Sequence, residues 1–271
     1  MPSPQNFHMI ARAGYAARGI VFLLIAALAL FSGLAGGKAD SQSALTTLLQ
    51  QPLGQIWIAL IGLGLAGFVV WRLAQSIANT DGQDEDAKGY LIRAALFGSA
   101  ITYAGLALSA LTLALQAGGQ SGSGGEQGLA AWIMQQPFGR YLAGIVGVGF
   151  IIGGIVTAAK GIRRKFDKYL DLDASRNTPA VLISIYGLVA RGVVFAIVGG
   201  FFLYAAFTVN PDQAGGTAEA LTWVRQLPLG GVIYTIVALG LGAFGLYNFV
   251  EARYRRIRMP QISDLKAQLP T

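Results

Sequence analysis

LLQQPLGQIWIALIGLGLAGFVVWRLAQSI, running from Leu48 to Ile77, places a Gln-x-Pro-x-Gly turn directly before a long and almost unbroken apolar run. The same turn recurs twice. Gln50, Pro52 and Gly54 are matched by Gln135, Pro137 and Gly139, and again by Gln226, Pro228 and Gly230. Each turn precedes an apolar segment long enough for a membrane. About 20 such residues are needed to span the hydrocarbon, where a helix is favoured because it satisfies its own backbone groups. Twelve residues beyond each proline stands a glycine (Gly64, Gly149, Gly240), a small residue that lets neighbouring helices pack closely.

Working outward, six apolar segments qualify as spans: Ala13 to Leu34, Gln55 to Ile77, Leu91 to Leu115, Arg140 to Ala159, Ala180 to Val209 and Leu229 to Val250. The composition agrees, at 54% hydrophobic and 12% charged over 271 residues. Before each proline runs a short amphipathic stretch, apolar at Leu45 and Leu48, Ala130 and Ile133, Leu221 and Val224. This spacing predicts a short helix on the outer interface, stopped by the proline that starts the return span.

The first spans of the units also correspond. Arg18-Gly19 with Phe22 matches Arg191-Gly192 with Phe195, and Ser99-Ala100 with Tyr103 in the middle copy, which has no arginine. The chain is therefore expected to be an all-α membrane protein, a single transmembrane domain over 1–271. Its repeats run 11–80, 87–165 and 180–258, followed by a cytoplasmic tail at 259–271. Three parallel two-helix repeats are expected to pack as a ring with pseudo-threefold symmetry about the membrane normal.

The ARAGYAARGIVF opening (Ala11 to Phe22), the YGLVARGVVF stretch (Tyr186 to Phe195) and the three turns resemble the bacterial family known as domain of unknown function 1206, over nearly the whole chain. That resemblance implies a three-unit protein of the bacterial cytoplasmic membrane with no established activity.

Charge sets the expected orientation. Sixteen Lys and Arg fall on the side of the termini against three on the other, with Arg191 inside a span. By the positive-inside rule both termini face the cytoplasm. Small residues after the first span mimic a signal-peptide cleavage site, but its counterparts in the third and fifth spans argue against cleavage. The net charge of +7 points to anionic lipid at the cytoplasmic face, bound by Lys160 to Lys168 and Arg253 to Arg258, and not to nucleic acid. The acidic segment around Asp81, Asp84, Glu85 and Asp86 lacks calcium-loop spacing and is expected to be a solvated linker.

Catalytic chemistry has little to work with. There is no cysteine, and the one histidine, His8, is near the amino terminus. No Ser/His pairing or metal-ligand cluster is evident, so the expectation is a non-enzymatic protein without cofactor or metal. Gly62-x-Gly64-x-x-Gly67 and Gly240-x-Gly242-x-x-Gly245 match a dinucleotide fingerprint but lie inside spans, where glycine serves packing.

The embedded arginines are the sharpest functional signal, because such residues usually face a bundle interior or polar cavity. Arg18 and Arg191, with Ser99, Tyr15, Tyr103 and Tyr186 nearby, are candidates for a polar pocket holding a small solute, an ion or a lipid headgroup. The plainer alternatives are snorkelling to the interface or pairing with Glu251, in a structural or accessory membrane protein. Gln50, Gln135 and Gln226 are expected either to line a polar mouth or to cap helix ends.

Overall fold

The computed structural model describes residues 4–32, 41–115, 133, 136, 138–171, 178–208, 210 and 216–257. Its helices are α1 (Pro4–Ser32), α2 (Ser41–Leu49), α3 (Gly54–Ile77), α4 (Ala87–Ala114), α5 (Gly139–Ile162), α6 (Thr178–Thr208), α7 (Thr217–Gln226) and α8 (Gly230–Tyr254), with a short 3-10 turn at Asp167–Tyr169. Helices α1, α3, α4, α5, α6 and α8 are long and apolar enough to cross a membrane. Helices α2 and α7 are the short amphipathic helices of the outer repeats. In the middle repeat Ala130, Gln135 and Pro137 lie outside the described residues, as do Lys38 and the tail.

Register between repeats is set at the turns. Leu53, Phe138 and Leu229 occupy the same turn position and share a left-handed backbone, with φ of 60°, 63° and 59°. In each, the glycine amide donates to the carbonyl three residues back: Gly54 to Gln51, Gly139 to Gln136 and Gly230 to Leu227, at 2.9, 2.9 and 2.7 Å. A Cβ on Gly54 would lie 2.4 Å from the Leu49 carbonyl oxygen, and one on Gly230 would lie 2.1 Å from that of Arg225, so only glycine fits. The return span therefore starts at this glycine, two residues after the expected proline, because the intervening residue must leave the right-handed region to reverse the chain.

Packing follows the repeat logic with one exception. The second helix of each unit packs on the first helix of the next: α3 on α4, α5 on α6, and α8 back on α1. Within units, α1 packs on α3 and α6 on α8. Helices α4 and α5 form no such interface, so the expected ring is open at the middle repeat. The glycines mark the difference. A Cβ on Gly64 would meet Ala17 Cβ at 2.5 Å and one on Gly240 would meet Ala190 Cβ at 2.2 Å, whereas Gly149 has nothing within 4 Å. Gly149 is therefore not a packing glycine here. Its counterpart on α4, Gly98, stands where Ala17 and Ala190 stand and also faces open space.

Candidate functional site: a guanidinium pair in an aromatic cage

At 1.5 Å per residue, Arg18 lies about 16 Å in from Phe7, and Arg191 about 20 Å in from Thr178. Both are buried among the helices, at 5% and 9% exposure. Aromatic rings surround them. Arg18 Cζ stands 4.9 to 5.1 Å from the rings of Phe68, Tyr103 and Phe244 and 5.8 Å from Phe22. Arg191 Cζ stands 4.2 Å from Phe195, 4.5 Å from Phe244 and 4.6 Å from Phe22. Phe22 and Phe244 thus serve both guanidinium groups, and their own rings meet edge to face at 4.8 Å. Each ring face carries partial negative charge that favours the cation, an effect that grows where water is excluded.

Arg18 Nε also donates to Tyr103 Oη at 2.7 Å, joining the first and middle repeats. The cage is built from repeat-equivalent positions. Phe22, Tyr103 and Phe195 each lie four residues after Arg18, Ser99 and Arg191, and Phe68 and Phe244 each lie fourteen after Gly54 and Gly230. The middle repeat places Gly153 at that last position and Ser99 in place of arginine.

A second buried polar cluster lies toward the terminal end. Arg255 Nη1 donates to Glu251 Oε1 at 2.6 Å, and Arg255 Nη2 donates to Asp81 Oδ2 at 3.0 Å and Oδ1 at 3.2 Å. Gln75 Nε2 donates to Asp81 Oδ2 at 2.6 Å, and Arg72 Nη1 donates to Gln75 Oε1 at 2.9 Å. The Arg255 guanidinium also lies against the rings of Tyr15, Trp71 and Tyr169, at 5.3 to 5.8 Å. Burial alone would lower its pKa, but Tyr15, Asp81 and Glu251 outweigh burial and raise it, keeping the group charged. The chain after α8 is held there by an antiparallel bridge between Leu170 and Arg255, and by Arg256 N donating to Tyr169 O at 3.0 Å.

Comparison with known proteins fits the repeat geometry. The model of a family described as Domain of Unknown Function (DUF1206) matches residues 13–79, 94–164 and 186–255, one match per repeat. The chain belongs to the DUF1206 family. Its similarity extends to "Uncharacterized protein YxxB" of Bacillus subtilis (strain 168), 36% identical over 251 residues, which cover 91% of this chain and 90% of the relative. No solved structure matches. This DUF1206 chain is thus a multi-pass membrane protein of three units.

Among the sequence candidates, Arg18, Arg191 and Tyr103 come together, while others do not. Tyr186 is 38% exposed and donates its hydroxyl to the Ile236 carbonyl on α8, so it pins a helix pair outside the cage. Tyr15 accepts from Trp71 Nε1 at 2.9 Å and stands against Arg255. Ser99 is half-buried on α4, one turn before Tyr103. Glu251 accepts from Arg255, a residue just beyond the span. Asp81 is a correction: it is drawn out of the supposed solvated linker into the cluster, whereas Asp84, Glu85 and Asp86 stay exposed and Asp86 caps α4 through Gly89 N at 2.7 Å. Arg255 likewise leaves the basic, lipid-facing set, while Arg163, Arg164, Lys165, Lys168, Arg253 and Arg256 remain exposed. Gln50 and Gln226 are exposed beside their turns, whose ring-closing hydrogen bonds are made by the backbone.

Sequence reading missed Gln75, Asp81, Arg72 and Arg255. A signal was present: Gln75, Lys160 and Glu251 each lie 21 residues after Gly54, Gly139 and Gly230, a polar position held in all three repeats near the end of the second span. Among the described residues no His/Asp/Glu group is arranged to hold a metal ion.

Proposed function

We propose that this protein is a non-enzymatic binder or conductor of a small anion, carried free or as a lipid headgroup, at the Arg18–Arg191 pair. The supporting observation is that Phe244 stacks both guanidinium groups within 5 Å, at 4.9 and 4.5 Å. Two like charges sharing rings in a low-dielectric setting repel, and an anion between them relieves that repulsion while gaining strong charge-assisted hydrogen bonds. The charge bias supports an orientation with both termini inside, the family resemblance supports a bacterial cytoplasmic membrane, and the exposed basic residues at the terminal end suit anionic headgroups of that leaflet.

Anion flux into liposomes reconstituted with wild type and with Arg191→Ala tests this reading. A tenfold or larger loss for at least one anion is expected. Equal rates for chloride, nitrate, sulfate and phosphate overturn it.

The stacking also favours a second reading. Rings that satisfy a guanidinium serve helix packing too, which would make this a structural or accessory membrane protein. A stoichiometric protein partner retained in mild detergent, together with unchanged flux, selects that role.

A further inference from the structure

Contacts run unbroken from the aromatic cage to the terminal end along α3. Phe68, Arg72 and Gln75 recur at steps of four and three residues, which keeps them on one face of the helix. The Phe68 ring takes Arg18 Cζ at 5.0 Å and Arg72 Cζ at 4.7 Å. Arg72 then donates to Gln75, Gln75 donates to Asp81, and Asp81 accepts from Arg255. Tyr15 makes a second link, since its ring meets Phe68 edge to face at 5.2 Å and lies 5.4 Å from Arg255 Cζ.

Two donors on this line stand ready for an acceptor. Nε of Arg72 and Nε of Arg255 are both buried without a hydrogen-bond partner. A desolvated N–H of a charged group is costly to leave unpaired, so each marks a place where an anion or a water is held.

Asp81 is the anion already present, and it is carried on a short loop instead of a span. Asn79 and Gly82 take left-handed backbone, with φ of 47° and 62°. The Asn79 side chain accepts from Gln83 N and donates to Gln83 O, both at 2.8 Å, which folds the connection back on α3. The loop is held inward by Asp81 and by Gln83 Nε2, which donates to Tyr169 Oη at 3.4 Å. Only 10% of the Asp81 side chain is exposed, and both its oxygens accept from Arg255 Nη2, as those of a bound anion would.

We propose that Asp81 is a tethered gate at the terminal end of the anion site. Its carboxylate occupies Arg255 in the closed state, and withdrawal of the 79–83 loop frees Arg255 and Arg72 to pass an anion to or from Arg18. This rests on the anion reading above and adds its regulation.

The test is flux of chloride and of phosphate into liposomes holding the full chain, normalised to monodisperse protein. Asp81→Asn, which keeps the shape and removes the charge, is expected to raise the rate of at least one anion threefold or more, while Asp81→Glu stays near wild type. Arg72→Gln added to Asp81→Asn is expected to abolish the rise, an outcome that mere loosening of the fold would not give.

If folded Asp81→Asn conducts no faster than wild type while Arg191→Ala still loses flux, the gate is wrong and the anion site stands. If wild type and Asp81→Asn both match protein-free liposomes, the anion site falls and the gate with it. Should Asp81→Asn not fold, Gln75→Leu takes its place, because it removes one hydrogen bond to Asp81 and leaves the ion pair with Arg255. A twofold rise is then expected, and an unchanged rate overturns the gate. Failure of both variants to fold makes Asp81 a structural pin and also overturns it.

Discussion

Arg18 is held by four rings and one hydroxyl, and each makes a separable contribution. Tyr103→Phe keeps the ring and removes only the oxygen that accepts from Nε. A hydrogen bond to a charged group contributes about 1.5–3 kcal/mol in a soluble protein, and about 0.6–2 kcal/mol is typical between membrane helices. Tyr103→Phe is therefore expected to lower unfolding free energy by about 1–2 kcal/mol, read by denaturant titration in bicelles. A value near zero would mean that the rings alone hold the guanidinium. Arg255 shows the other way of burying a cation, with two carboxylates in direct contact at 2.6 and 3.0 Å. One cation is held chiefly by ring faces and the other by an ion-pair network, within the same small bundle.

Equivalent elements in this chain have unequal neighbours, and glycine exposes the difference. Gly64 of α3 has the Ala17 side chain against it, so Gly64→Leu must push α1 and α3 apart; overpacking of this kind costs about 1–3 kcal/mol or more. Gly149 of α5, at the same register, faces open space, so Gly149→Leu is expected to leave the melting temperature in detergent unchanged or slightly raised, since leucine is the better helix former. Equal destabilisation by the two substitutions would show that α4 and α5 close on each other in the membrane. Pattern reading placed both glycines in one class because register is visible in a sequence, whereas the presence of a facing helix is not.

At the scale of the molecule, six spans bring the start of α1 and the end of α8 to one end and the turns to the other. The absence of cysteine makes this directly measurable with single introduced cysteines. Gln50→Cys and Gln226→Cys in intact cells are expected to react with a membrane-impermeant maleimide, and Lys165→Cys only after permeabilisation. The opposite pattern would invert the topology. The open ring joins its helices in the spatial order α4, α3, α1, α8, α6, α5, which puts the two middle-repeat helices at its free edges. Their burial reflects this, since the most apolar part of α4 is 28% buried and that of α5 17%, against 56% for α1 and α8. Lipid or a partner is left to cover what the chain itself covers elsewhere.

Sequence alone determined the number of spans, the threefold repetition and the turn positions, and it set two arginines within spans without deciding their burial. Each of these is local: apolar length decides insertion, and a proline-glycine turn decides where a helix restarts. Tertiary structure decided which polar groups meet. Arg18 and Tyr103 are 85 residues apart, and Asp81 and Arg255 are 174 apart. It also decided that the middle hairpin stands open. Gly98 and Gly149 read in isolation are ordinary helix residues; only the placement of α4 and α5 shows that no side chain faces them.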